Sequence, residues 1–113
     1  MKEITNRSAI IVNPKHSFIE WANLCNESSN EDLNQRLEEN HVYLIDWTYG
    51  EDIDRVLSPY YVNIFEYELS SWNSIKKEWP QNRSYELFRE WFECRVCNDL
   101  FDLEMAAIES EKL

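Results

Sequence analysis

A single glycine, Gly50, stands in 113 residues, alongside only three prolines. Several tight turn types need a positive φ that glycine supplies without steric cost. A chain with one glycine is therefore poorly suited to an all-β fold built from many short hairpins. It is equally poorly suited to a glycine-rich loop that cradles phosphate. Five Trp, six Tyr and five Phe argue against a disordered linker. They predict an aromatic core, because each large ring can bury roughly 150–250 Å². At this length the chain reads as one domain, residues 1–113, able to bury a core without metals or disulfide staples. Residues 1–6 and 104–113 are expected to fray at its ends.

Hydrophobic periodicity supplies the elements. Residues 8–12, SAIIV, are apolar and β-branched and predict a buried strand closed by Asn13-Pro14. Residues 17–25 predict a helix. Ser17 and Glu20 stand at capping-box spacing, and Phe18, Trp21, Ala22 and Cys25 share one face. A short acidic helix capped by Asn30 is expected before residue 40. Residues 41–49 are the clearest strand, with Val42, Leu44 and Asp46 on one face and Tyr43, Ile45 and Trp47 on the other. Two apolar faces predict a central strand between covering layers. EDIDRVL opens a short helix, and Ser58-Pro59 starts another through Trp72 with the stripe Tyr61, Ile64, Phe65, Leu69, Trp72.

After Pro80, either Asn82 or Ser84 can cap a helix reaching about Phe92, with Leu87, Phe88 and Trp91 inward. Residues 93–101 predict a third strand, with a continued helix as the competing reading. The tail from Met105 is helix-prone. The fold class that follows is α+β: a small three-stranded sheet covered by several helices, on one side or partly on two.

The segments NRSAIIVNP (6–14), YLIDW (43–47) and WPQNRSYELFREWF (79–92) resemble an uncharacterised family of small, acidic, single-domain bacterial proteins. The pattern W-P-x-x-R followed by F-x-x-W-F is the more specific part. The resemblance implies a compact α+β domain and no activity, cofactor or catalytic residue.

The formal charge is −11, unevenly spread: +1 over residues 1–26, −8 over 27–54, zero over 55–79 and −4 over 80–113. No basic stripe is visible, so nucleic acid and anionic membranes are not expected partners. A basic protein partner suits this charge better, and acids also keep an aromatic-rich chain in solution. The cysteines are Cys25, Cys94 and Cys97. Their odd number, and an opening apolar run too short for a signal-peptide core, predict a cytoplasmic protein. No segment approaches the ~18 apolar residues of a membrane span.

Catalytic patterns are missing from the sequence. Cys94-Arg95-Val96-Cys97 is a lone C-x-x-C that follows a helix rather than starting one, and on a strand its two thiols point to opposite faces. Buried, inert thiols are expected, and no metal or cofactor. His16 and His41 stand at element boundaries and are expected to be solvated or capping imidazoles. Asp46 is the acid embedded in an apolar strand, Trp79 precedes a proline, and Arg83 sits where a helix start disfavours a cation. Arg83 therefore needs a carboxylate, a stacking ring or an anionic ligand. Asp46, Trp79, Arg83 and Trp91 form the expected ligand-binding set if the chain holds a small molecule. The leading expectation is a non-catalytic protein-interaction domain, monomeric or homodimeric. The alternatives are an anion-binding protein or enzyme at those four residues, or an acidic mimic of DNA.

Overall fold

The computed structural model describes residues 1–25 and 39–113. Its elements run β1 (Lys2–Ile4), β2 (Arg7–Pro14), α1 (His16–Cys25), β3 (His41–Asp46), α2 (Ile53–Leu57), α3 (Tyr61–Trp72), a 3₁₀ turn (Lys76–Glu78), α4 (Tyr85–Trp91), β4 (Phe92–Cys97) and β5 (Leu100–Asp102). The architecture is α+β. A three-stranded antiparallel sheet has the order β3-β2-β4, and β1 pairs with β5 in a separate two-stranded ribbon. The acidic helix expected from Asn30 falls largely on residues outside those described.

β2 is central because it can be buried on both edges and most of both faces. Ser8, Ala9, Ile10 and Val12 are all buried. Its register pairs Ile10 with Tyr43 and Val96, and Val12 with His41 and Cys94. Those partners share the face that carries the helices. The opposite face carries Ile11, Val42, Leu44, Asp46 and Arg95. Val42 and Leu44 are each 56% exposed, and among the described residues no helix covers them. This corrects the expectation that residues 41–49 form a central strand between two layers; the strand covers His41–Asp46. β3 is an edge strand, and its second apolar face is open.

The ribbon of β1 and β5 extends the β2–β4 pairing with a bend. Four residues separate Ile4 from Ala9, but two separate Cys97 from Leu100. The extra length on the first strand is a bulge-like insertion. Ser8 serves this bend: its buried hydroxyl accepts from the Thr48 amide at 2.9 Å and lies 3.1 Å from the Asn98 carbonyl. Residues 2–4, expected to fray, are thus paired as a strand. The tail beyond Leu103, helix-prone but expected to fray, has no regular structure and is exposed.

Phe92 organises the helical layer. It ends α4, begins β4 and is fully buried. Its ring lies 4.8 Å from Phe18 of α1, 5.8 Å from Phe65 of α3 and 5.4 Å from Phe88 of α4. Such tilted and edge-on contacts suit aromatic quadrupoles. The start of α1 is tied to the end of α4 by the Lys15 amide, which donates to the Trp91 carbonyl at 2.8 Å.

Local signals were partly as expected. Of the two caps offered for α4, Ser84 is the one used, accepting from the Leu87 amide; Asp52, not singled out from sequence, caps α2 through the amides of Asp54 and Arg55. Ser58 does not start α3. It closes α2, its amide donating to the Asp54 carbonyl, and α3 begins at Tyr61 without a side-chain cap. Cys25 is exposed while Ile19 is buried, so α1 turns a slightly different face inward than its spacing suggested.

Gly50 is needed for space. No described residue has positive φ, but a Cβ on Gly50 would collide with Cγ2 of Val56 and come within 3.1 Å of Thr48 Oγ1. Gly50→Ala should therefore cost about 1–3 kcal/mol through overpacking, read as a lower urea midpoint with unchanged slope. Phe92→Ala should cost more, about 3–5 kcal/mol, because three helices lose the same ring. Equal midpoints for wild type and Phe92→Ala would contradict this account of the core.

Candidate functional site

The helix face of β3 meets α3 along a groove, and that groove holds the buried acid Glu68. Helical spacing places Glu68 on the apolar stripe, three residues after Phe65 and four after Ile64, and its side chain is only 7% exposed. A buried carboxylate needs partners. Glu68 Oε1 accepts from the Tyr43 hydroxyl at 2.8 Å and pairs with His41 Nδ1 at 2.9 Å. An ionised carboxylate only accepts, so Nδ1 carries the hydrogen in this pair. The two partners are i and i+2 on β3, so strand periodicity brings both to one carboxylate. Tyr67, the neighbour of Glu68 on α3, adds a third ring. The His41–Tyr43, Tyr43–Tyr67 and His41–Tyr67 centroids lie 6.5, 6.4 and 6.4 Å apart, at 86°, 82° and 46°.

Two cavities flank this cluster. One, lined by Val12, Phe18, Ile19, His41, Glu68 and Trp72 among others, has about 30 Å³, the room of about one water. The other opens to solvent between His41, Val42, Tyr43 and Tyr67 and has about 200 Å³. The first, which Glu68 lines, is too small for a substrate, and the second is lined by three rings and Val42 without a nucleophile.

Of the two thiols expected to be buried, Cys94 lies in the core, whereas Cys97, on the opposite sheet face, is only half-buried and donates to the Asp99 carbonyl at 3.3 Å. Burial pushes the Cys94 thiol from 9.0 up to about 11. That is the wrong direction for a nucleophile. Burial, and then the charge of Glu68, raises the Tyr43 phenol well above its ordinary value. Among the described residues, no three His, Cys, Asp or Glu side chains gather in a way that could hold a metal.

The four residues singled out from sequence do not converge. Asp46 is 92% exposed on the open face of the sheet, with Arg7 at 3.9 Å. Trp79 is buried on the helix side, its indole N–H donating to the Asn73 carbonyl at 2.7 Å. Arg83 precedes the helix cap. It donates to the Pro80 carbonyl at 2.8 Å and lies over the Trp79 ring at 5.8 Å. Its structural partners are thus a backbone oxygen and an aromatic face. Trp91 packs between Phe18, Trp21 and Phe65. An open hollow beside Trp79 is lined by Asn63, Glu66, Tyr67, Ser70 and Leu113; it includes none of the other three.

The sequence reading missed Glu68. The signal was present: an acid on the inner stripe of α3 has to meet a partner from another element. It was obscured because the chain has 22 acids, and because the partner, His41, lies 27 residues away. No helix among the described residues is long and apolar enough to cross a membrane. No family model, curated protein or solved structure matches the chain.

Burial at Cys94 and Tyr43 makes stability sensitive to alkali. Above about pH 9 the unfolded chain releases the Cys94 proton, while the native state holds it to about 11. The unfolded state then binds fewer protons, so stability falls as pH rises, by up to about 1.4 kcal/mol per pH unit per retained proton. This contribution is fully present below pH 9. Urea midpoints should be flat from pH 7 to about 9 and drop beyond it, less steeply in Cys94→Ala. A wild-type midpoint unchanged at pH 10.5 would refute this.

Proposed function

We propose that this chain is a non-catalytic cytoplasmic protein-interaction domain that docks an extended basic segment of another protein along β3. The observation that carries the reading is the edge strand itself. Among the described residues no strand pairs with its outer edge, and Val42 and Leu44 stand exposed on its open face. An unpaired edge offers main-chain hydrogen bonds to an added strand, and alternate side chains give it specificity. The charge around it selects the partner. Glu39, Asp46, Glu51, Asp52 and Asp54 are exposed and no Lys or Arg lies between 39 and 54. A basic segment gains from that field, whereas nucleic acid is repelled. The open thiol of Cys25 suits a reducing compartment.

The test is titration of the full chain with a short peptide alternating lysine and valine, followed by calorimetry. Saturable binding is expected at low salt, with loss at about 1 M salt, where the Debye length is about 3 Å. Val42→Thr combined with Leu44→Thr keeps good strand formers and should weaken binding by roughly tenfold, about 1.4 kcal/mol. Absence of binding at low salt would sink the reading. So would unchanged affinity in the double variant, or a dimer closed through β3 that already occupies the edge.

A further inference from the structure

The other side of β3 carries a separate feature, the corner formed by His41, Tyr43 and Tyr67 above Glu68. We propose that this corner binds a quaternary or methylated ammonium group. Its cavity reaches Val42 at the strand edge, but ammonium binding does not depend on the edge-docking reading.

Tyr43 and Tyr67 stand at 82° with centroids 6.4 Å apart. Both rings line one cavity, so a cation inside it meets them within the roughly 6 Å range of cation–π attraction. His41 closes a third side, at 6.4 Å from Tyr67 and 6.5 Å from Tyr43. The space between the rings is open: the cavity of about 200 Å³ is lined by these three rings and Val42. That volume equals several water molecules at ~30 Å³ each, enough for a small organic cation.

Electrostatics set the sign of the ligand. Glu68, bonded to Tyr43 and His41, has its charge largely removed from water, so an anion is repelled and a cation attracted. Its hydrogen bonds from Tyr43 and His41 also fix both rings, so they need little reorganisation to receive a ligand.

The same arrangement sets the type of cation. A metal ion needs lone-pair ligands, and no group of three such side chains is present among the described residues. An unmodified ammonium carries three or more N–H donors that require acceptors. The open cavity is lined by no carboxylate, and ring faces are poor substitutes for water. A methylated ammonium has an apolar surface and few or no donors, so it loses little on leaving water and gains from the ring faces. Its source can be a free quaternary amine or a trimethylated lysine side chain, since the recognised group is the same.

The probe is tetramethylammonium chloride, titrated into the full chain by calorimetry, with sodium chloride holding ionic strength constant. Saturable heat is expected. Tyr67→Leu should weaken binding roughly fivefold or more, and Tyr67→Phe, which keeps the ring, should not. Tyr67 is 43% exposed, so neither variant empties the core, and an unchanged melting curve verifies this. Glu68→Gln, nearly isosteric, should also weaken binding. A neutral peptide containing one trimethyl-lysine separates the sources: tighter binding than tetramethylammonium assigns a side-chain ligand, and equal or weaker binding assigns a free amine. No saturable binding of tetramethylammonium overturns the proposal. So does ammonium binding as tightly, or Tyr67→Leu binding like the wild type.

Discussion

Phe92 is the contact on which the rest of the molecule depends. It sits where α4 becomes β4, so its position is set by both a helix and the sheet. From that point its ring meets a ring from each of α1, α3 and α4. Three helices are thereby held to one face of one sheet through a single buried side chain. Trp91, one residue earlier, extends the cluster to Trp21 and Phe65. Consecutive residues can do this because the chain changes from helical to extended geometry between them.

Placing all the described helices on one face has a consequence for the surfaces. β2 is covered by its two neighbours, but β3 has a helix side and an open side. Its helix side meets α3 and holds a buried carboxylate between a phenol and an imidazole. Its open side leaves Val42 and Leu44 in water. Burying Glu68 is tolerable because both partners donate to it at normal hydrogen-bond distances. With one partner removed, the buried charge would be undercompensated. The polar cluster and the open face are thus two sides of the same six residues.

Much of the fold was legible in local chemistry. The β-branched run at 8–12, the cap of α4, expected at Asn82 or Ser84, and the stripe of α3 each act over a few residues, and each is where the pattern placed it. The misreadings share one cause. Alternation in residues 41–46 showed two apolar faces but not whether anything lay against the second. Ser58-Pro59 had the chemistry of a helix start, yet Ser58 was already committed to ending α2. The pairing of Lys2–Ile4 with Leu100–Asp102 joins segments nearly a hundred residues apart, and neither segment signals it alone. Of the candidate site, Trp79 and Arg83 proved to satisfy each other and nearby carbonyls, while Glu68 drew no notice.

By itself, then, the sequence determined the class of fold, the main elements and the identity of most core residues. Periodicity, capping and the scarcity of glycine act through neighbours three or four positions apart. Only the tertiary structure decided which face of β3 stays open, and that Glu68 meets Tyr43 and His41 across 25 and 27 residues. Those outcomes depend on how separate elements pack. A buried acid and an exposed valine are defined by what lies against them, and no local pattern carries that information.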